Sequence, residues 1–278
     1  MFKPFYLTLA FFWLCLWGNS TLAQSDSPFR SLFDGQSLQG WDGDARFWSV
    51  LEGTITGKTS ADQPLDANTF LIWRGAELAD FELRLKFRID GGNSGIQYRS
   101  QDLGEHHVGG YQADIDAQHQ YTGILYDERG RGILANRTTR VEIDPQGNNN
   151  VVGTTCDESG LLASIRPGQW SEYVVTAKGN HLTQSINGFV TVDVTDGQTD
   201  QAESRGVLAL QIHVGPPMIV QFKDIWLRDL SANAAEASSK ASDSVDADGC
   251  CCGVADACRP SRPRIFSRRR CRAPCRSR

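Results

Sequence analysis

Gln112, Asp114 and Asp116 alternate with Tyr111, Ala113 and Ile115 in the segment GGYQADIDAQHQYTGILYDERGRG, residues 109–132. In an extended strand, side chains two apart point the same way. One face of such a strand would be apolar, and the other would carry an amide and two carboxylates. That set can orient hydroxyl groups and move protons, which is what a sugar-handling cleft requires. The same alternation is equally that of a solvated face in an antiparallel sheet.

Two other segments carry groups of the same kind. In GVLALQIHV, Leu208, Leu210, Ile212 and Val214 form an aliphatic side, while Val207, Ala209, Gln211 and His213 form the other. Small residues followed by an amide and an imidazole fit a cleft floor better than an outer face. In GGNSGIQYRS, Asn93, Gln97 and Arg99 share one parity and Ile96 and Tyr98 the other. Arg99 could fork onto sugar hydroxyls or a developing oxyanion, or pair structurally with Asp114 or Asp116. Gly91, Gly92 and Gly95 indicate a bulge or a close approach of the backbone. They form no phosphate loop, since no Lys-Ser/Thr follows them.

The elements that must position these groups read as strands. Runs at 47–51, 69–73, 81–89, 111–115, 173–177, 182–186, 189–194, 207–214 and 219–227 are apolar or alternating, with Gly and Asn between them. FELRLKFRI places Phe81, Leu83, Leu85, Phe87 and Ile89 on one side. Glu82, Arg84, Lys86 and Arg88 take the other, read here as plain solvent. The stretch EYVVTAKGNHLTQSINGFVTVDV is a meander whose Lys178-Gly179-Asn180 and Asn187-Gly188 tolerate the positive φ of tight hairpins. The one helical hint is ESGLLASI. Residues 29–230 are therefore expected to form one all-β domain, a two-sheet antiparallel sandwich.

The two ends differ from this body. Lys3 precedes an apolar run from Phe5 to Trp17, too short to span a bilayer, and Thr21-Leu22-Ala23 resembles a cleavage site. Residues 1–23 thus read as a signal peptide, giving an exported protein, periplasmic or extracellular, with no transmembrane anchor. Residues 231–278 begin as an Ala/Ser/Asp linker with the composition of disorder. They end in a tail holding six of the eight cysteines. Nine arginines and no acid lie from residue 258 onward, so the net charge of −5 leaves −14 on residues 1–257. Neighbouring cysteines without His do not match zinc-ligand spacing. The tail is read as disordered and without a specific role, or as an electrostatic contact to an anionic envelope. No nucleic-acid partner is expected.

Other motifs are absent: no HExxH, no GxSxG, no CxxC within the domain and no dinucleotide fingerprint. Cys156 reads as a small packed residue. Tyr126, Asp127, Glu128, Arg129 and Arg131 make either a ligand-facing loop or a charged hairpin. Trp41, Trp48, Trp73 and Trp170 could stack on sugar rings but read as core.

Six blocks in order, LFDGQSLQGW, FWSVLEGTITG, DFELRLKFRI with GGNSGIQYR, GYQADI with LYDERGRG, QWSEYVVTAKGN with its Asn-Gly pair, and LALQIHVGPPMIVQFKDIWL, resemble the bacterial 3-keto-disaccharide hydrolase domain family. The resemblance spans nearly all of residues 29–230. It implies a concanavalin A-like jelly roll, export, a carbohydrate substrate and cleavage of glycosides oxidised at C3. It also gives the polar face a chemistry. A C3 ketone acidifies the C2 hydrogen, so a base removes it, the C1 substituent is eliminated and water adds. Asp114 is the candidate base, Asp116 or His213 the proton donor or shuttle, and Arg99 with Gln112 the oxygen-binding pair. Asn93, Gln97 and Gln211 complete the candidate substrate contacts. Gln112 stands where laminarinase-type jelly-roll enzymes carry a first carboxylate, and an amide cannot be a nucleophile. A structural calcium ion suits this fold class, though no calcium-loop motif is present and the sequence specifies no cofactor. The rival reading is a non-catalytic, lectin-like carbohydrate-binding module of the cell envelope.

Overall fold

The computed structural model describes residues 28–231. The expected signal peptide, and all of the expected tail beyond Ser231, lie outside them. The described chain forms β1 (Arg30–Ser31), β2 (Trp41–Asp42), β3 (Trp48–Leu51), β4 (Thr54–Lys58), β5 (Thr69–Leu78), β6 (Phe81–Asp90), β7 (Asn93–Gly104), β8 (His107–Asp116), β9 (Leu125–Glu128), β10 (Gly132–Ala135), β11 (Thr139–Ile143) and β12 (Asn149–Thr154). The short helix α1 (Glu158–Ser164) follows, then β13 (Ser171–Lys178), β14 (His181–Ile186), β15 (Phe189–Asp196), β16 (Gly206–Ile212) and β17 (Ile219–Asp229). Among the described residues, no helix is long and apolar enough to cross a membrane.

Two sheets face each other as an all-β jelly-roll sandwich. One runs β12-β11-β15-β14-β13-β6-β17-β4-β3, with β1 also on β17; the other runs β10-β9-β8-β7-β16-β5-β2. Every named strand pair is antiparallel except β11 with β15. Period-2 alternation fills the space between the sheets. Phe81, Leu83, Leu85 and Phe87 of β6 meet Ile96, Tyr98, Tyr111, Ala113 and Ile115 of the β7–β8 hairpin and Leu208, Leu210 and Ile212 of β16. Each such aliphatic or aromatic side chain contributes about 1.5–3 kcal/mol on burial. A polar relay inside this layer links the two sheets. The Tyr173 hydroxyl donates to Gln184 Oε1 at 3.0 Å, and Gln184 Nε2 donates to the Tyr98 hydroxyl at 3.1 Å. Asn187 and Gly188 turn the β14–β15 hairpin with φ of 49° and 84°, as the Asn-Gly pair predicts.

The outer side of β6 departs from the plain solvent face expected of it. Glu82 is buried, accepting from Arg84 Nε at 2.7 Å and pairing with Arg228. Trp41, Trp48 and Trp73 lie in the core, and Trp170 sits half-buried under Arg88 and Lys223.

On the far side of the smaller sheet, the outer half of the β7–β8 hairpin bends back across the face. Val108 packs there with Phe70, Ile72 and Ala209 in a second, smaller apolar cluster. Phe70 N–H donates to the His106 carbonyl at 2.9 Å, and Arg74 ties Asp42 to Asp102. The bend leaves an open cleft beside it on the same face.

Candidate functional site

The β8 alternation is realised as a core face and a cleft face. Pairing carries the cleft face sideways: Gln97 lies opposite Gln112 and Gly95 opposite Asp114 on β7, while Tyr126 of β9 lies opposite Gln112. The cleft has a volume of about 460 Å³. This falls within the range of small-molecule sites. Asn68, Asn93, Gln112, Asp114, Glu128 and His213 supply its polar lining, and Tyr121, Ile124, Tyr126 and Ile133 its apolar lining.

Asp114 is the buried carboxylate of this cleft, and its pKa is pushed up to about 8. Burial is the largest cause; the Gln112 amide opposes it, the charges of Glu128 and Asp116 add to it, and the Asn93 amide opposes it again. The group therefore exchanges a proton near neutrality, a property that concentrates at functional sites.

A chain of amides sets the donor that Asp114 receives. The Ser100 hydroxyl donates to Gln97 Oε1 at 2.6 Å, Gln97 Nε2 to Gln112 Oε1 at 2.7 Å, and Gln112 Nε2 to Asp114 Oδ1 at 2.5 Å. Because a hydroxyl starts the chain and a carboxylate ends it, each amide has one consistent orientation. Gly95 leaves room for the Gln112 side chain, since a Cβ there would stand 2.5 Å from Gln112 Cδ.

His213 lies half-buried at the end of β16, with Nδ1 at 2.6 Å from the Val214 carbonyl. A carbonyl only accepts, so Nδ1 carries the hydrogen in the neutral ring and Nε2 is left as the acceptor. Asn68 is held from three sides. Its Oδ1 accepts from Val214 N–H at 2.9 Å, its Nδ2 donates to Glu128 at 3.3 Å, and its carbonyl accepts from His107 at 3.0 Å.

Of the residues anticipated from sequence, Asn93, Gln112, Asp114 and His213 line the cleft together. Gln97 and Gln211 are buried beneath it. Gln211 faces Phe70 across β5, and neither atom of its amide has a hydrogen-bond partner among the described residues. Arg99 and Asp116 are elsewhere, which corrects both assignments. At Arg99 the register of β7 slips against both β8 and β16, and its φ is 48°. This bulge inserts one residue, so Tyr98 and Arg99 both turn toward the larger sheet and Ser100 returns to the cleft side. Arg99 is 1% exposed, donating to the carbonyls of Ala79 and Gly179 at 2.6 Å each and pairing with Asp80 at 3.0 Å. Asp116 is spent on the loop that follows, where it accepts from the N–H groups of Gln118, Gln120 and Tyr121 at 3.0, 2.9 and 3.1 Å.

The charged run after Leu125 divides by parity. Tyr126 and Glu128 line the cleft, whereas Asp127 pairs with Arg131 at 2.7 Å, which in turn reaches buried Asp196 at 2.8 Å. Alternation in LYDE could have assigned the first two. Nothing local marks Asn68, Tyr121 or Ile133. No group of three or more His, Cys, Asp or Glu side chains among the described residues is arranged to hold a metal ion.

Residues 28–228 match the model of the 3-keto-alpha-glucoside-1,2-lyase-like domain. The chain belongs to this family. Membership makes it a carbohydrate-active protein. No curated protein matches it. Among solved structures, a Parabacteroides distasonis protein provisionally described as a glycosyl hydrolase aligns with a TM-score of 0.50 and 16% identity, over 73% of this chain and 100% of that one. A second such protein from the same organism gives 0.47 and 19%, over 73% and 94%. The carbohydrate-binding module CBM66 of Bacillus subtilis gives 0.45 and 15%, over 68% and 96%. At its identity the first likeness is one of fold.

Proposed function

We propose that the protein cleaves 3-keto glycosides, with Asp114 as the base that removes the C2 hydrogen. The observation that carries this reading is a buried carboxylate, pushed up to about 8, on the wall of a sugar-sized polar cleft. A carboxylate raised this far is a stronger base than an ordinary one and still ionises near physiological pH. The C2–H electron pair first forms an enolate on the C3 oxygen. That oxygen is within the province of the Asn93 and Gln112 amides. Its electrons then return, C1=C2 forms, and the C1–O bond breaks with its pair on the leaving oxygen. Water next adds across the double bond. Asp114 returns the proton to C2, hydroxide bonds to C1, and His213 Nε2 takes the water's other proton on its way to the departed oxygen. The sum is hydrolysis. Export of the chain, with a mature start near Gln24, is part of the same proposal and is supported by the pattern of residues 1–23.

The test is turnover of a 3-keto α-glucoside beside its unoxidised parent in deuterated water. The expected result is cleavage of the keto sugar alone, with deuterium at C2 above the level reached by the Asp114→Asn variant in the same time. Cleavage of the parent without label would replace this reading with direct hydrolysis at C1. Binding of both sugars without turnover would leave a carbohydrate-binding module.

A further inference from the structure

The two halves of the cleft differ in kind, and Asp114 stands between them. On the side of β7, β16 and the start of β5 lie Asn93, His213 and Asn68, with Glu128 bonded to Asn68. On the side of β9, β10 and the loop after β8 lie Tyr121, Ile124, Tyr126 and Ile133. Two large apolar groups stand uncovered at this second flank, Tyr121 at 40% exposure and Ile133 at 42%.

Ring geometry decides which part of a substrate meets which flank. C1 and C3 are the two neighbours of C2, so a base reaching C2 has the ketone to one side and the leaving oxygen to the other. The polar flank has the amides and imidazole that a ketone and hydroxyls need. The substituent on C1 then falls against Tyr126, Tyr121 and Ile133. That flank holds no imidazole, and its one carboxyl, Glu128 two residues along β9 from Tyr126, is drawn toward the polar side by the Asn68 amide at 3.3 Å. Asp116, next to this flank in sequence, is turned into the Gln118–Tyr121 loop. A phenoxide can depart without a proton, because a phenol ionises near pH 10, far below an alkyl alcohol.

We infer that the leaving group is an aromatic alcohol, so that the substrates are 3-keto aryl glycosides rather than 3-keto disaccharides. This rests on the cleavage proposed above. The electron pair of the C1–O bond leaves on the aryl oxygen, which is neutralised afterwards by the proton that the added water releases. The apolar contact and the ease of departure both act on the same substituent.

The experiment compares kcat/KM for the 3-keto derivatives of phenyl α-glucoside and of maltose oxidised on its non-reducing ring. The aryl compound is expected to be at least about 10-fold better, as for other apolar subsites that gain a few buried carbons. Ile133→Asn, at a half-exposed edge position, should narrow that ratio by about fivefold. An equal or reversed ratio in the native protein, or a ratio untouched by Ile133→Asn, overturns the inference. Should neither keto sugar turn over, calorimetric titration of Asp114→Asn with unoxidised phenyl α-glucoside and maltose separates the two ideas. Tighter binding of the aryl sugar by about 10-fold sustains the apolar flank as an aryl site while the cleavage reading falls. No preference overturns both.

Discussion

Gln112 and Asp114 stand two residues apart on β8, and the amide of the first donates to the carboxylate of the second at 2.5 Å. The donor favours the ionised carboxylate, whereas burial opposes it more strongly, and the balance leaves the pKa at about 8. If the ionised form is the working base, kcat/KM for a 3-keto α-glucoside should rise with pH and level off above about 8. Asp114→Asn should lower it by at least about 100-fold at pH 8 and above and abolish its rise with pH. A flat profile in the native protein would remove Asp114 from the base role.

The same group links stability to pH. Its ordinary value is 3.8, so between about 4 and 8 the folded chain holds a proton that the unfolded chain has released. Stability from this group is complete below about 4 and falls as pH rises toward 8, by at most about 1.4 kcal/mol per pH unit. Asp114→Asn cannot ionise. Its unfolding free energy relative to the native protein should therefore increase from pH 5 to pH 8, measured by urea denaturation at each pH.

Gly95→Ala tests whether the amide chain matters to chemistry. The added Cβ falls on Gln112 Cδ, so Gln112 must leave its place between Gln97 and Asp114. Without its donor the carboxylate should titrate higher, moving the rise in kcat/KM to more alkaline pH and lowering the rate at pH 7 by roughly 10-fold, one pKa unit's worth. An unchanged pH profile in a folded variant would show that Gln112 positions nothing.

Arg99→Met addresses the opposite case, a buried charge that serves the fold. Removing the guanidinium leaves Asp80 and two carbonyls short of donors at the end of the sandwich. The cost should be about 3–5 kcal/mol. Activity per folded molecule at low temperature should stay within about twofold of the native chain. A selective loss of kcat/KM with stability intact would return Arg99 to the site.

Mass spectrometry of the exported chain should find an N-terminus near Gln24, and an intact Met1 in the mature pool would contradict export by a cleaved signal.

The sequence was informative wherever a single strand's own period decides the outcome. β6, β8, β16 and the β13–β15 meander follow from alternation and from Asn187-Gly188, and with them the placing of Gln112, Asp114 and His213. Arg99 was misread because a bulge is a property of pairing: the extra residue shows only against the register of β8 and β16. Asp116 continues the parity of Asp114 but sits at the strand's end, where three free N–H groups of the next loop compete for its oxygens. Asn68 joins the cleft through contacts with residues 107, 128 and 214. No local pattern encodes contacts of that range. Strands β9 to β12 are only 4, 4, 5 and 6 residues long, so what alternation they carry is too short to stand out from the turns between them.

The β7–β8 hairpin carries Asp114 at one end, while its other end crosses the sheet and braces Asn68 through His107. One continuous ribbon thus supplies Asn93, Gln112 and Asp114 to the cleft and braces Asn68 beside it, with its tip at Leu103–His106. Insertions or deletions at that tip would reach the cleft only through the brace that His107 gives Asn68, while the register around Asp114 stays fixed. A change of loop length there can therefore shift one wall residue, Asn68, and leave Gln112 and Asp114 in place.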